Sequence, residues 1–390
     1  MIWNKFKRIL GIKDGASADS NSDKGTSAVE GPASKIKWYD ANSNPWQVPI
    51  VDVRPITLSM ISTTADPQLA ANAVSYAHED GSAFVDQQPV FERTVPANLA
   101  YPVEGALADG VLFLPQQMEH KWAIFYREGR IIFVRSWQRQ VFVVAKTEHR
   151  NGLLVVTQVQ GTFGGAEEGV DFTLRVLDFL LRTHALNKSF PAPLPEGMER
   201  DGETAARWCF AAYGNMAHCA THQQIEFQLA QVPLRTHSLL HIAVAHADRE
   251  KITALLATGI SADLLAGDGL APLHWALAKN DLAIMGILIE GGSSVDVQSA
   301  EGATPLMNAV QGSNIGALAF LLARGAKVDT PDQRGFTALH RAAEMGHLDI
   351  AKALIEAGAS PLIEAQGHTP LTLAEKRGLT EMIRVLNATT

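Results

Sequence analysis

From residue 237 onward the chain repeats itself, and a period of this length leaves few folds open. Five segments align: HSLLHIAVA (237–245), LAPLHWALA (270–278), ATPLMNAVQ (303–311), FTALHRAAE (336–344) and HTPLTLAEK (368–376). Their central leucines, Leu240, Leu273, Leu306, Leu339 and Leu371, are spaced 33, 33, 33 and 32 residues apart. Ala243, Ala276, Ala309, Ala342 and Ala374 keep step, and a small side chain there lets two helices of a pair approach closely. Paired aliphatics follow (Leu255-Leu256, Leu288-Ile289, Leu321-Leu322, Leu354-Ile355), placed to bury against the neighbouring pair. Gly259, Gly292, Gly325 and Gly358 close each second helix, and Gly269, Gly302, Gly335 and Gly367 turn the chain back. No single pair buries its apolar face, so stacking has to supply the core.

These residues resemble the ankyrin repeat, and FTALHRAAEMGHLDIAKALIEAGAS (336–360) matches its T-P-L-H-x-A pattern nearly end to end. The resemblance covers about two-fifths of the chain. It implies an all-α solenoid that holds a protein partner on a concave face of turn tips and first helices. Contact positions carried over by alignment are Asp268, Leu270 and Lys279, then Glu301, Ala303 and Gln311, then Arg334, Phe336, Glu344 and Met345. Phe336 is a candidate anchor, since aromatic side chains dominate binding hot spots. Three copies depart from the pattern: the first has His-Ser-Leu-Leu-His, the third has Met307 at the His position, and the last has Thr372 there. His241, His274 and His340 occur once per repeat, about 10 Å apart at helix-packing distance. That is too far to share a metal ion, so they read as structural.

The chain before the repeats has a different pattern. KWAIFYREGRIIFVRSW (121–137) predicts a β-hairpin around Glu128-Gly129, and QVFVVAKTEHRNGLLVVTQVQ (140–160) a second around Asn151-Gly152. Together they predict a four-strand antiparallel meander, extended by 48–56 and 110–115. Helices are expected over 170–186, with Val170, Leu174, Leu177 and Leu181 as a stripe, and over 203–230 after a Pro-rich connector. The fold class expected is an α+β N-terminal domain followed by an all-α repeat solenoid. The organisation is 1–13, a short amphipathic helix; 14–35, a flexible linker of Gly, Ser, Ala and Asp; 36–230, the α+β domain; and 233–390, the five repeats.

The charge is −8, with 33 Lys and Arg against 41 Asp and Glu, which disfavours a nucleic-acid partner. Cys209 and Cys219 are the only cysteines, too few for a disulfide framework and suited to a reducing compartment. No stretch approaches the roughly 20 apolar residues of a membrane span. A cytoplasmic protein is expected, with weak peripheral membrane contact through residues 1–13 as a secondary idea.

Three constellations in the front region were candidates for chemistry. His218-Cys219-Ala220-Thr221-His222, with Cys209 upstream, would put two histidines one helical turn apart; without a supporting Glu or second Cys pair, helix packing is preferred to metal. Gly161-Thr162-Phe163-Gly164-Gly165 lies where phosphate loops occur, but it matches no phosphate motif, and Glu167 and Glu168 would repel an anion. Arg135 falls on one strand face with Trp137 and opposite Trp122, a candidate head-domain site for cation–π stacking or an acidic partner. The surrounding K-W-x-I-F-Y…G-R-I-I-F-V-R-S-W resembles a hairpin of uncharacterised bacterial proteins, with no activity attached. No cofactor, metal site or catalytic set is expected. The reading is a non-enzymatic interaction protein, a scaffold, adaptor or inhibitor of the immunity type; the alternative is an enzyme in the head whose substrate the repeats recruit.

Overall fold

The computed structural model describes residues 36–388, apart from 166, 167, 199, 200, 217, 222 and 224. The predicted helix over 1–13 and linker over 14–35 lie outside the described residues. The chain divides into two compact units between Thr236 and His237.

The first unit is α+β. Its strands are β1 (Lys37–Tyr39), β2 (Ile50–Asp52), β3 (Thr94–Pro102), β4 (Gly110–Phe113), β5 (Trp122–Arg127), β6 (Arg130–Arg135), β7 (Gln140–Arg150), β8 (Leu153–Gly161), β9 (Ala192–Leu194) and β10 (His218–Thr221). Its helices are α1 (Arg54–Thr57), α2 (Pro67–Val74), α3 (Val170–Leu180) and α4 (Gly202–Tyr213). Six strands run in the order β4-β5-β6-β7-β8-β3, all antiparallel. Both expected hairpins are present, with Glu128-Gly129 and Asn151-Gly152 at positive φ in their two-residue turns. Trp122, Ile124, Ile131 and Phe133 bury one face against α3 and α4, while Phe125, stacked on Phe84, and Ile132 are buried on the other. Burial on both faces is why these strands read as unbroken apolar runs and do not alternate.

Three expectations are corrected. Segment 48–56 does not extend the meander: β2 sits in a separate four-strand sheet, order β1-β2-β10-β9, and α1 follows at once. The expected 110–115 extension is present as β4; at the other end the sheet is extended by β3, which carries Pro96 and Pro102, and proline is tolerated there because β3 is an edge. The helix expected over 203–230 stops at Tyr213. Gly214 follows at φ 91°, where a Cβ would stand 1.9 Å from the Glu119 carbonyl oxygen, and the chain returns as β10. The helix over 170–186 is α only to Leu180, continues as a π-turn through Ala185, and leaves Val170 of its stripe exposed.

The second unit is five helix pairs: α5 (Leu239–Ala245) with α6 (Arg249–Ala257), α7 (Pro272–Ala278) with α8 (Leu282–Glu290), α9 (Pro305–Gln311) with α10 (Ile315–Ala323), α11 (Ala338–Met345) with α12 (Leu348–Glu356), and α13 (Pro370–Lys376) with α14 (Thr380–Asn387). The repeated leucines and alanines from Leu240 to Ala342 are buried, as the stacking argument requires. Polar ladders join one pair to the next. His241 Nε2 donates to the Leu270 carbonyl (3.1 Å), His274 Nε2 to Ala303 (3.0 Å) and His340 Nε2 to His368 (3.2 Å). On the other ring nitrogen, Nδ1 of His274 and His340 accepts the backbone N–H of Ala271 and Thr337, while that of His241 meets the Ser238 hydroxyl. A second ladder uses Asp263, Asp296 and Asp329, also 33 apart, whose carboxylates accept the N–H of Ser294, Lys327 and Ser360 in the following repeat.

A neutral imidazole with a proton on Nε2 alone satisfies the His contacts, and burial in that setting lowers His241 to about 3 and His274 to about 4. Because these values lie below the roughly 6.5 of a free histidine, the unfolded chain takes up the protons first. Stability is therefore full above pH ~6.5 and is lost as pH falls towards the folded values. Each of these two histidines is expected to contribute up to about 1.4 kcal/mol of loss per pH unit in that window. Urea unfolding followed by Trp275 fluorescence at pH 7 and pH 5 checks this, and a His241→Gln/His274→Gln chain should show a shallower slope. Met307 stands where the third ladder histidine would, leaving the Phe336 carbonyl with the Asp332 N–H and no ring donor. Met307→His is expected to stabilise the second unit by about 0.5–1.5 kcal/mol in the same assay.

Candidate functional site

Between the helix pairs of the second unit lie loops of one design. The N–H groups of Ala266, Ser299 and Asp332 donate to the carbonyls of Leu270, Ala303 and Phe336, which closes each loop, and Gly269, Gly302 and Gly335 complete the turn. Adjacent loops are bonded to one another, Ala300 N–H to the Gly269 carbonyl and Gln333 N–H to that of Glu301. Side chains on this framework are therefore held in fixed register.

The ten aligned contact positions run from buried to exposed. Leu270 and Ala303 are 8% and 6% exposed, so these two are withdrawn as side-chain contacts; they pack beneath the loops and offer carbonyls to His241 and His274. Asp268 is spent internally, accepting the N–H of Leu270 and the indole N–H of Trp275 (3.1 Å). Lys279 donates to the Ala245 carbonyl at the end of α5, and burial pulls its ammonium below the usual lysine range. The remaining six keep surface. Glu301, Arg334 and Glu344 are exposed, Met345 is 46% exposed, and Gln311 and Phe336 are half-buried.

Phe336 is edge-on to His340 at 5.4 Å and has the Arg334 guanidinium 5.1 Å from its ring. Arg341, which the alignment did not single out, bonds Asp332 (3.1 Å) and Gln311 (3.4 Å) across two repeats. Its counterparts one and two repeats earlier are Asn308 and Trp275. The side-chain oxygen of Asn308 is buried without a hydrogen-bond partner among the described residues. A signal was available, since Trp275, Asn308 and Arg341 all follow the His or Met of the motif at a spacing of 33. The exposed positions of the ten, Glu301, Arg334, Glu344 and Met345, thus lie in the third and fourth repeats, with Arg334 facing Asp332 at 3.6 Å and Glu344 facing Arg377 at 3.5 Å.

In the first unit the Arg135 cluster is structural. Trp122 is buried and Arg135 pairs with it across β5 and β6, its guanidinium 4.9 Å from the indole. The same guanidinium donates to the carbonyls of Ala211 (2.6 Å) and Ala212 (2.8 Å), and Trp122 Nε1 also donates to Ala212. A cation at the C-terminal end of α4 meets the negative end of the helix dipole. Burial lowers Arg135 to about 10, which leaves it charged at neutral pH. Trp137 donates to the Met118 carbonyl and lies 4.8 Å from the ammonium of Lys121. Lys121 is the group sequence reading missed: a buried amine 2.5 Å from the Ser62 hydroxyl, with burial lowering it to about 8. Both side chains are almost wholly covered, so the pair packs the interior and does not present a nucleophile.

The other two constellations also resolve. His218 lies in strand β10, not in a helix, opposite Asp52, with its ring 5.3 Å from Trp46; His222 lies outside the described residues. Among the described residues no group of three or more His, Cys, Asp or Glu is placed to hold a metal ion. The Gly161–Gly165 loop does gather N–H donors around an anion, but the anion is the chain's own Glu168. Its carboxylate takes the N–H of Phe163 (3.1 Å) and Gly164 (2.5 Å) and the Thr173 hydroxyl (2.6 Å). Glu167 lies outside the described residues.

The chain matches the ankyrin repeats (3 copies) family on residues 240–332, 273–365 and 314–389. Residues 240–389 are ankyrin repeats, which indicates a protein–protein interaction module. No curated protein matches the chain. Among the described residues no helix is long and apolar enough to cross a membrane.

Replacing Arg135 by methionine keeps length and removes both bonds to the end of α4. The expected result is a loss of about 2–4 kcal/mol in chemical denaturation, with no effect on partner capture. A loss of capture without a loss of stability would return Arg135 to the list of contact residues.

Proposed function

We propose that the ankyrin repeats hold a protein partner on a concave face of loop tips and first helices, and that the third and fourth repeats carry most of the recognition. The observation behind this reading is the division of the aligned contact positions. Leu270 and Ala303 are buried and Asp268, Lys279 and Gln311 are bonded within the fold, while Glu301, Arg334, Glu344 and Met345 stay exposed on a rigid framework beside the half-buried Phe336. A half-buried aromatic flanked by an arginine, with an exposed methionine on the following helix, combines the residue types enriched in interface cores.

Residues 237–390 hold 11 Lys and Arg against 16 Asp and Glu, a net charge of −5. That balance favours a partner with a basic surface and suits an inhibitor of the immunity type, or an adaptor, over a nucleic-acid binder. The first unit, which ends at Thr236, is assigned a supporting role without catalysis. Its Arg135, Trp122 and Trp137 are engaged with backbone carbonyls. A cytoplasmic location and weak membrane contact through residues 1–13 complete the reading.

The test is affinity capture with the full chain, identification of the protein retained, and measurement of its Kd. Phe336→Ala with Met345→Asp is expected to weaken binding by roughly 30-fold or more, the cost of losing about 2 kcal/mol at a hot spot. Leu282→Ala, on a second helix, should leave Kd within about threefold. Equal affinity for the double variant and the parent would overturn the assignment of the face.

A further inference from the structure

The chain has two cysteines in 390 residues, and folding brings them together. Cys209 is on α4 and Cys219 on β10; the chain reverses between them at Gly214. Their sulfurs are 2.7 Å apart, inside the about 3.5–4.0 Å at which non-bonded heavy atoms usually rest. A disulfide bond is about 2.05 Å long, so closure asks for less than about 1 Å of movement. Both side chains are wholly buried in the main core of the first unit, among Ala205, Ala206 and Tyr213.

We propose that Cys209 and Cys219 close into an intramolecular disulfide when the chain folds in the presence of a low-molecular-weight disulfide oxidant. The first unit then exists in a dithiol and a disulfide form, selected by redox conditions at folding. The steps balance as two exchanges. One cysteine thiolate attacks the oxidant, forms a mixed disulfide and releases one small thiol. The second attacks the protein sulfur of that mixed disulfide, forms the Cys209–Cys219 bond and releases the other small thiol. The cysteines lose two electrons and two protons, and the oxidant's sulfurs gain them. Timing follows from burial. In the folded chain the thiols are inaccessible, and burial beside each other holds the Cys219 thiol well above its ordinary range, so little thiolate is present to react. Once made, the bond is equally shielded from reductants.

A single bond would join the end of α4, already fastened by Arg135 and Trp122, to the small sheet.

The experiment uses the full chain, reduced and denatured, then refolded with oxidised glutathione or with a reductant. Each product is denatured without reduction, treated with N-ethylmaleimide and weighed intact. The expected product with oxidised glutathione takes up no maleimide, weighs less by two hydrogens, and melts roughly 5–10 °C above the reduced form. Native reduced protein given the same oxidant should react at least about tenfold more slowly. Two maleimide adducts, glutathione adducts or disulfide-linked dimers after oxidative refolding would overturn the proposal. Because the state of the unaltered chain is the readout, the result does not depend on whether a Cys209→Ser variant folds.

Discussion

The hydrogen bond from a buried histidine to the next repeat's loop carbonyl is the interaction on which the second unit depends. Stacked helix pairs leave polar backbone at every loop, and an unpaired buried carbonyl costs more than a satisfied one contributes. His241, His274 and His340 each meet that demand with one ring: Nε2 faces forward to the next loop, and Nδ1 is held by the start of its own helix. The same proton arrangement keeps the imidazoles neutral. The Asp263, Asp296 and Asp329 ladder does the equivalent for backbone N–H groups, and the two sets together tie successive pairs, with Met307 leaving one junction without its ring donor.

Once those junctions are satisfied, a loop has few side chains left to offer a partner. In the second repeat the fold takes nearly all of them: Asp268 holds Trp275, Lys279 caps the preceding helix, and Leu270 lies beneath its loop. In the third and fourth repeats Ser299 and Asp332 bind only their own loops and the neighbouring Arg341, so Glu301, Arg334, Phe336 and Met345 stay outward. Specificity in such a stack comes from what the structural bonds leave over, and a periodic sequence does not reveal this position by position.

The first unit is organised by closure of a different kind. Its long sheet is covered on both faces, and the end of α4 is gripped by Arg135 and Trp122 from the middle of that sheet. An arginine among aromatics looks like a binding site when read along a strand. Here the guanidinium faces two helix carbonyls supplied by residues 76 and 77 positions away, and its charge is used within the fold. Glu168 follows the same logic, filling with its own carboxylate a loop that would otherwise attract an anion.

What the sequence by itself determined is everything governed by local period and local backbone preference. The 33-residue register, the small alanines, the interrepeat histidines and the two hairpins at Glu128-Gly129 and Asn151-Gly152 all follow from residues near one another along the chain. What only the tertiary structure decided are the long-range meetings. It placed β2 in a second sheet and β3, despite its prolines, on the edge of the first. It stopped α4 where Gly214 meets a carbonyl from Glu119, buried Leu270 and Ala303, and set Cys209 against Cys219. Those outcomes depend on which distant backbone occupies a given volume, and no short stretch of sequence carries that information.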